Sequence, residues 1–366
     1  MVTVENGVYP EIPLDAGQVQ GWKDIPIRED DSLDPLIPLG PLSQEAETLM
    51  TSSLYFGEHS NSPYAENRNK LEGSLLTLFA RQSVVHRLLV AEQLLPSGHH
   101  LLVFDAYRPY QVQKSLHDFY QQKLREKYPD MDNETLESET QKYVSLPSMA
   151  STRPSPHNTG GSVDVAIVKL DQAHEEELLQ IHSHLTDVHL NIAKRVGMEM
   201  RRSATMRRHA KMLYFGTAFD HGGEKSALAY YESYYKSKTA AGESLTDKDM
   251  LACNNRRLLF GIMTQAGFQP YFAEWWHFNA PESQAGAATA GLAYATFGAV
   301  GLDESNRAHE NTRLKIRQEA LRLQREGDLA VARTALQVEI LAAIRATGDP
   351  KLVEDWPAEI IAPSEA

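Results

Sequence analysis

The chain of 366 residues contains a single cysteine, Cys253, so no intrachain disulfide can form and no cysteine pair can hold a metal. Any metal site has to be built from nitrogen and oxygen ligands. Basic residues are in the minority. The 36 Lys and Arg stand against 49 Asp and Glu, a formal charge of -13 that repels nucleic acid and anionic membranes on average and favours a small ligand. Long charge-free apolar runs are lacking except over residues 285–302. That stretch is mostly Ala, Gly and Thr, which gain little from hydrocarbon, so a buried, closely packed helix is expected and no membrane span. The opening residues, MVTVENGVYPEIPL, have no basic segment followed by an apolar one, so no secretory signal is read and the protein is expected in the cytoplasm. No solenoid repeat is visible.

What is present divides into three regions. Residues 1–65 are rich in Pro, Asp, Glu and Ser and suggest an extended N-terminal arm or edge strands. Residues 66–302 carry the periodic segments. Leu75, Leu78, Phe79, Val85, Leu88, Leu89 and Leu95 recur at helical spacing, and Pro96-Ser97-Gly98 ends that run. A buried strand follows over residues 101–104, then a helix after Pro109 and an acidic connecting loop with some helix over 130–147. The alternation in SVDVAIV (162–168) predicts a strand with Asp164 on the face opposite its valines. A helix is expected over 172–198, a basic, weakly patterned insert over 201–211, and a helix over 254–268 closed by Gly267. Residues 303–366 are rich in helix formers, with Gly327 expected to mark a bend between two helices. These helices offer a surface for packing on the core or for homo-oligomerisation.

Two segments hold the residues of a metal hydrolase. SPHNTGGSVD (155–164) supplies His157 and Asp164, with Gly160 and Gly161 between them to let the backbone turn. EWWH (274–277) supplies Glu274 and His277. Three residues apart, these share a face of a helical turn; in a strand, a bulge or twist has to compensate. Two histidines and an aspartate could bind one zinc with a position open for water, and Glu274 could take that water's proton. Trp275 and Trp276 would exclude bulk solvent. Each piece is weak alone in a chain with 14 histidines. The His182/His184 doublet, with His189 beyond, lies in a polar helical stretch where residues two apart do not share a face, and is expected to be solvated surface.

Five blocks in order, DAYRP (105–109), SPHNTGGSVD, FGTAFD (215–220), NNRRLLFGIMTQAGF (254–268) and EWWHF (274–278), resemble the D-alanyl-D-alanine dipeptidases, zinc peptidases of the vancomycin-resistance type. The resemblance spans about residues 65 to 300. It implies one zinc ion on His157, Asp164 and His277, with Glu274 as general base. Arg108 would stabilise the oxyanion, and Ser155 and Asp220 would contact a small dipeptide substrate. By itself Arg108 reads as a structural salt bridge at a strand end, and Asp220 as a turn residue beside Gly222 and Gly223. The arm, the 201–211 insert and the helical extension depart from a usually compact domain and leave the substrate open. A related D,D-carboxypeptidase or endopeptidase, a peptide hydrolase of natural-product metabolism and a non-catalytic zinc-stabilised binding module are the alternatives. The expected fold is α+β, with a mainly antiparallel sheet carrying the zinc site, helices flanking it and a C-terminal helical extension.

Overall fold

The run SVDVAIV lies at the centre of the sheet, and its two faces are both covered: Val163, Val165 and Ile167 on one side, Asp164, Ala166 and Val168 on the other. The expected polar face is therefore buried as well. The structure, a computed structural model, describes residues 9–28, 34–58, 62, 64, 71–141, 144, 147–148, 153–186 and 192–347.

In chain order the elements are β1 (Leu36–Pro38), β2 (Met50–Thr51), β3 (Phe79–Arg81), α1 (Gln82–Gln93), β4 (His99–Asp105), α2 (Tyr110–Lys127), α3 (Asn133–Gln141), β5 (Ser162–Lys169), α4 (Gln172–Thr186), α5 (Ile192–His209) and β6 (Lys211–Met212). They continue with α6 (Tyr230–Ala240), α7 (Asp247–Gln265), β7 (Gln269–Tyr271), β8 (Glu274–Asn279), α8 (Gln284–Thr289) and α9 (Glu304–Thr347). Helix and sheet are mixed, as expected for α+β. The main sheet has the order β2-β4-β5-β8-β7, with β6 pairing the far end of β5, while β1 and β3 form a separate pair.

The sheet is mixed rather than mainly antiparallel. Its edge strand β2 runs parallel to β4, whereas β4, β5, β8, β7 and β6 pair antiparallel. Parallel neighbours need a crossover, and the excursion through β3 and α1 supplies it. A two-residue strand in a stretch without alternation left no sequence signal to find. Helices α1 and α7 pack against each other and against the sheet, burying Val84, Val85 and Leu88 from one and Leu259, Ile262 and Met263 from the other.

Four other expectations are corrected. Residues 201–211 are no insert: they are the second half of α5 running into β6. Their basic character is matched by acids, because Arg202 lies buried between Glu199 at 2.9 Å and Glu58 at 2.6 Å, and Arg317 of α9 reaches Glu199 at 3.3 Å. Gly327 bends nothing, since α9 continues through it from Glu304 to Thr347. A helical Gly costs about 1 kcal/mol relative to Ala but need not end a helix. Residues 285–302 contribute only to the short α8 before turning irregular, and no helix among the described residues is long and apolar enough to cross a membrane. His182 is buried on α4, where burial and the nearby Arg202 push its pKa down to about 3, while His184 is exposed and His189 lies outside the described residues.

Trp275 shows how the core holds β8 in place. Its ring is buried, stacks on Phe215 with centroids 4.2 Å apart, and its Nε1–H donates to Thr217 Oγ1 at 2.9 Å. Trp275→Ala is expected to cost about 3–5 kcal/mol of stability, read as a lowered midpoint in urea unfolding.

Candidate metal centre

Cross-strand register brings the candidate ligands together. In the antiparallel pair β5–β8, Asp164 stands directly opposite His277, and Asp105 of β4 pairs with Asp164 across a bulge. Directly paired residues project from the same sheet face with Cβ atoms about 4.5–5.5 Å apart. His157 arrives from outside the sheet, on the single turn Pro156–Thr159. Gly160 ends that turn at φ 70°, where a Cβ would lie 2.5 Å from Leu36 Cδ2, so the turn demands glycine there. Two hydrogen bonds zip the turn to the DAYRP loop: Arg108 N donates to His157 O at 3.1 Å, and Asn158 Nδ2 donates to Arg108 O at 3.2 Å.

The result is a triangle of donor atoms. His157 Nε2 and His277 Nδ1 are 3.2 Å apart, His277 Nδ1 is 3.0 Å from Asp164 Oδ1, and His157 Nε2 is 3.5 Å from the same oxygen. Ligands of a tetrahedral zinc at the usual bond lengths stand about 3.3 Å from one another. The outer ring nitrogens settle which atoms carry protons. His157 Nδ1 donates to Ala106 O at 2.8 Å, an atom that can only accept, and His277 Nε2 faces Asn279 Oδ1 at 3.0 Å. With those outer protons in place each neutral imidazole turns a lone pair inward, so two ring nitrogens and a carboxylate oxygen converge, an arrangement that suits a cation. The residues present fit zinc.

Burial alone would lower the pKa of His157, but Asp164 and Asp105 outweigh it and raise it; Asp164, although buried, is held well below the carboxylate range by His157 and His277. Arg108 donates from Nε and Nη2 to Asp105 Oδ2 at 2.9 and 2.6 Å and from Nη1 to Gln113 Oε1 at 2.7 Å. Its guanidinium lies over the Tyr55 ring at 4.5 Å, and its Nη2 is 3.9 Å from Asp164 Oδ2. The strand-end salt bridge foreseen for Arg108 is present, and it aims the guanidinium at the donor triangle.

Glu274 begins β8, with Oε2 4.0 Å from His277 Nδ1. A regular strand would turn these two side chains to opposite faces. The β7–β8 register breaks between Pro270, paired with Phe278, and Tyr271, paired with Glu274, and this irregularity returns Glu274 to the ligand side. Confinement by protein raises Glu274 to about 7, helped by Asp164 and Asp220 and opposed by His277. Asp220, in left-handed backbone at φ 58°, is open to cavity water yet ringed by protein. That confinement, with Asp164 nearby, raises it to about 7 as well, and Tyr64 donates its hydroxyl to Asp220 Oδ2 at 3.3 Å.

These groups line one cavity of about 210 Å³, smaller than the roughly 300–1,000 Å³ usual for drug-sized ligands. Ser155, Arg108, Asp220, Glu274 and the three candidate ligands all face it. Three carboxylates against one guanidinium favour a divalent cation and a cationic substrate group. The D-ala-D-ala dipeptidase family model matches residues 184–295. That match covers under a third of the chain and includes Asp220, Glu274 and His277; the DAYRP and SPHNTGGSVD blocks lie before it, and the sheet joins the two parts. No curated protein matches the chain.

Tyr55, Tyr64, Asp105, Gln113 and Asn279 went unassigned in the sequence. Asp105 sits within DAYRP and Asn279 two residues past His277, positions where a partner for a ligand could have been sought. The tyrosines lie in irregular backbone with no signal. A second cluster among the described residues, Asp171, His174 and His209, brings ligand atoms near one another on the surface. Its imidazoles are stacked at 3.5 Å and 16°, so their in-plane lone pairs run along parallel planes and do not converge on one ion.

Proposed function

We propose that the chain is a zinc-dependent dipeptidase that hydrolyses D-alanyl-D-alanine or a similarly small dipeptide in the cytoplasm. The observation that carries this reading is the convergence of His157 Nε2, Asp164 Oδ1 and His277 Nδ1 in a small cavity with Glu274 beside them. Zinc held by these three atoms would lower the pKa of water to about 7 and polarise the scissile carbonyl.

The chain's own groups divide the remaining work. A Glu274 carboxylate oxygen takes the proton of the attacking water and delivers it to the leaving amine. Arg108, fixed by Asp105, Gln113 and the Tyr55 ring, faces the negative charge that grows on the carbonyl oxygen. Asp220, with the Tyr64 hydroxyl on one oxygen, receives the substrate ammonium, and Ser155 offers a hydroxyl to the peptide. The walls, with buried Trp276 among them, displace water around these groups.

Turnover of free D-alanyl-D-alanine compared with a muramyl pentapeptide tests the reading: the dipeptide is expected to be the better substrate, and a preference for the pentapeptide would move the activity to a carboxypeptidase. Arg108→Lys keeps the charge but loses the fork that Asp105 and Gln113 hold. It is expected to lower kcat by about 100- to 1,000-fold with a smaller change in KM, measured in steady-state kinetics.

A further inference from the structure

Resting on the dipeptidase reading, we infer that residues 17–24 form a fixed outer wall of the cavity, through which Trp22 and Val19 restrict substrates to short peptides with a small apolar residue on the leaving side. Gly17, Val19 and Trp22 line the cavity together with Pro270, Ala285 and Thr289; Gly17 abuts Pro270, and the turn Trp22–Asp24 packs on α8. With the substrate ammonium on the Tyr64–Asp220 pair and the scissile carbonyl at the donor triangle, the leaving residue is assigned to this wall. Arg108 is the one Lys or Arg side chain lining the cavity among the described residues, so the surface offered by Val19 and Trp22 suits an apolar side chain on the leaving residue rather than an acidic one.

The segment is anchored on both sides of this wall. Ile12 is buried, and its N–H donates to Glu232 Oε1 at 3.1 Å. Gly17, at φ 71°, passes so close to β7 that a Cβ would lie 2.5 Å from Pro270 O, which leaves no room for a side chain. Further on, Gln284 Nε2 donates to Ile25 O at 2.6 Å, and the backbones of Pro26, Arg28 and Ala295 exchange two hydrogen bonds at 2.8 and 2.9 Å. Arg153 Nη2 donates to Asp24 Oδ1 at 3.2 Å, linking the arm to the segment that carries Ser155. That pair is exposed and contributes little energy. An arm held at so many points acts by shape: a larger leaving residue meets Trp22 instead of displacing it.

The experiment is calorimetry on the zinc-loaded Glu274→Gln protein, in which turnover is expected to be slowed by about 100- to 10,000-fold, with unreacted peptide verified after each titration. The ligands are D-alanyl-D-alanine, D-alanyl-D-leucine, D-alanyl-D-phenylalanine and tri-D-alanine. With the arm intact, the phenylalanine analogue is expected to bind at least about tenfold more weakly than D-alanyl-D-alanine. Adding Trp22→Ala is expected to recover about tenfold for the two larger dipeptides and the tripeptide, and Val19→Phe to widen the gap, so a misfolded variant of one kind still leaves the other as a test. Identical affinity ratios in all three proteins would overturn the wall while leaving the dipeptidase reading intact. A protein that binds none of the four peptides overturns both.

Discussion

Glu274→Gln is expected to lower kcat by about 100- to 10,000-fold, the usual contribution of a positioned general acid–base group, while zinc content measured by atomic absorption stays at one ion per chain. The substitution keeps the shape of the side chain and removes only its ability to take a proton. Glu274 also sets the sign of a stability effect. Its pKa in the folded, metal-free protein is raised to about 7 from an ordinary 4.5 by confinement first and by Asp164 and Asp220 next. The folded state therefore holds this proton more tightly than the unfolded chain, a contribution fully present below about pH 4.5 and lost as pH rises through 7. With metal chelated, the Gln variant is accordingly expected to melt higher than the parent at pH 8, and the difference to vanish below about pH 4.5. Bound zinc draws the carboxyl down, so the acid limb of kcat/KM is expected below 7. Full activity in the Gln variant would sink the role given to Glu274.

Asp164→Asn is expected to weaken zinc binding by at least about a hundredfold, measured by competition with a chromophoric chelator, and to remove peptidase activity at limiting zinc. Asp164 would contribute both a ligand oxygen and the negative charge that offsets the metal, and an amide in its place leaves two imidazole nitrogens facing each other at 3.2 Å with no counter-charge. The same geometry predicts a cost for removing the metal: the chelated protein should melt lower than the loaded one, since zinc at a hundred times its Kd adds about 2.7 kcal/mol. Binding should also weaken as pH falls. The His157 pKa lies above its ordinary 6.5, so a proton competes for Nε2 from slightly acid conditions downward. Activity that survives complete chelation would overturn the zinc reading.

Chemistry-bearing residues were legible in the sequence where the motif kept them close. His157 and Asp164 stand seven apart across a glycine turn, and Glu274 and His277 three apart beside two tryptophans; all four face one cavity. Arg108 was found only through the DAYRP block, since a lone arginine at a strand end carries no signal. Local periodicity located β5 and α7, but of the helix read over residues 67–95 only the second part holds: α1 begins at Gln82, Phe79 lies in β3, and Leu75 and Leu78 lie in irregular backbone before it. It failed for β2, too short to show a pattern, and for residues 201–211, where Arg202 is neutralised by Glu199 one turn away on α5 and by Glu58 from far along the chain. His182 was misplaced for the same reason: polar neighbours along the helix concealed the face that packs inward.

The sequence by itself determined the kind of chemistry, because one cysteine and two His/Asp/Glu motifs leave an oxygen–nitrogen metal site as the natural reading, and residue type fixes what a donor atom can do. Tertiary structure decided the rest. Strand register set Asp164 opposite His277, a register break turned Glu274 to the ligand side, and backbone and amide acceptors fixed the imidazole protons. Contacts over more than two hundred residues brought the proline-rich arm onto the cavity. None of these is a local property of the chain: each depends on which segments lie side by side, and short-range pattern carries no information about that.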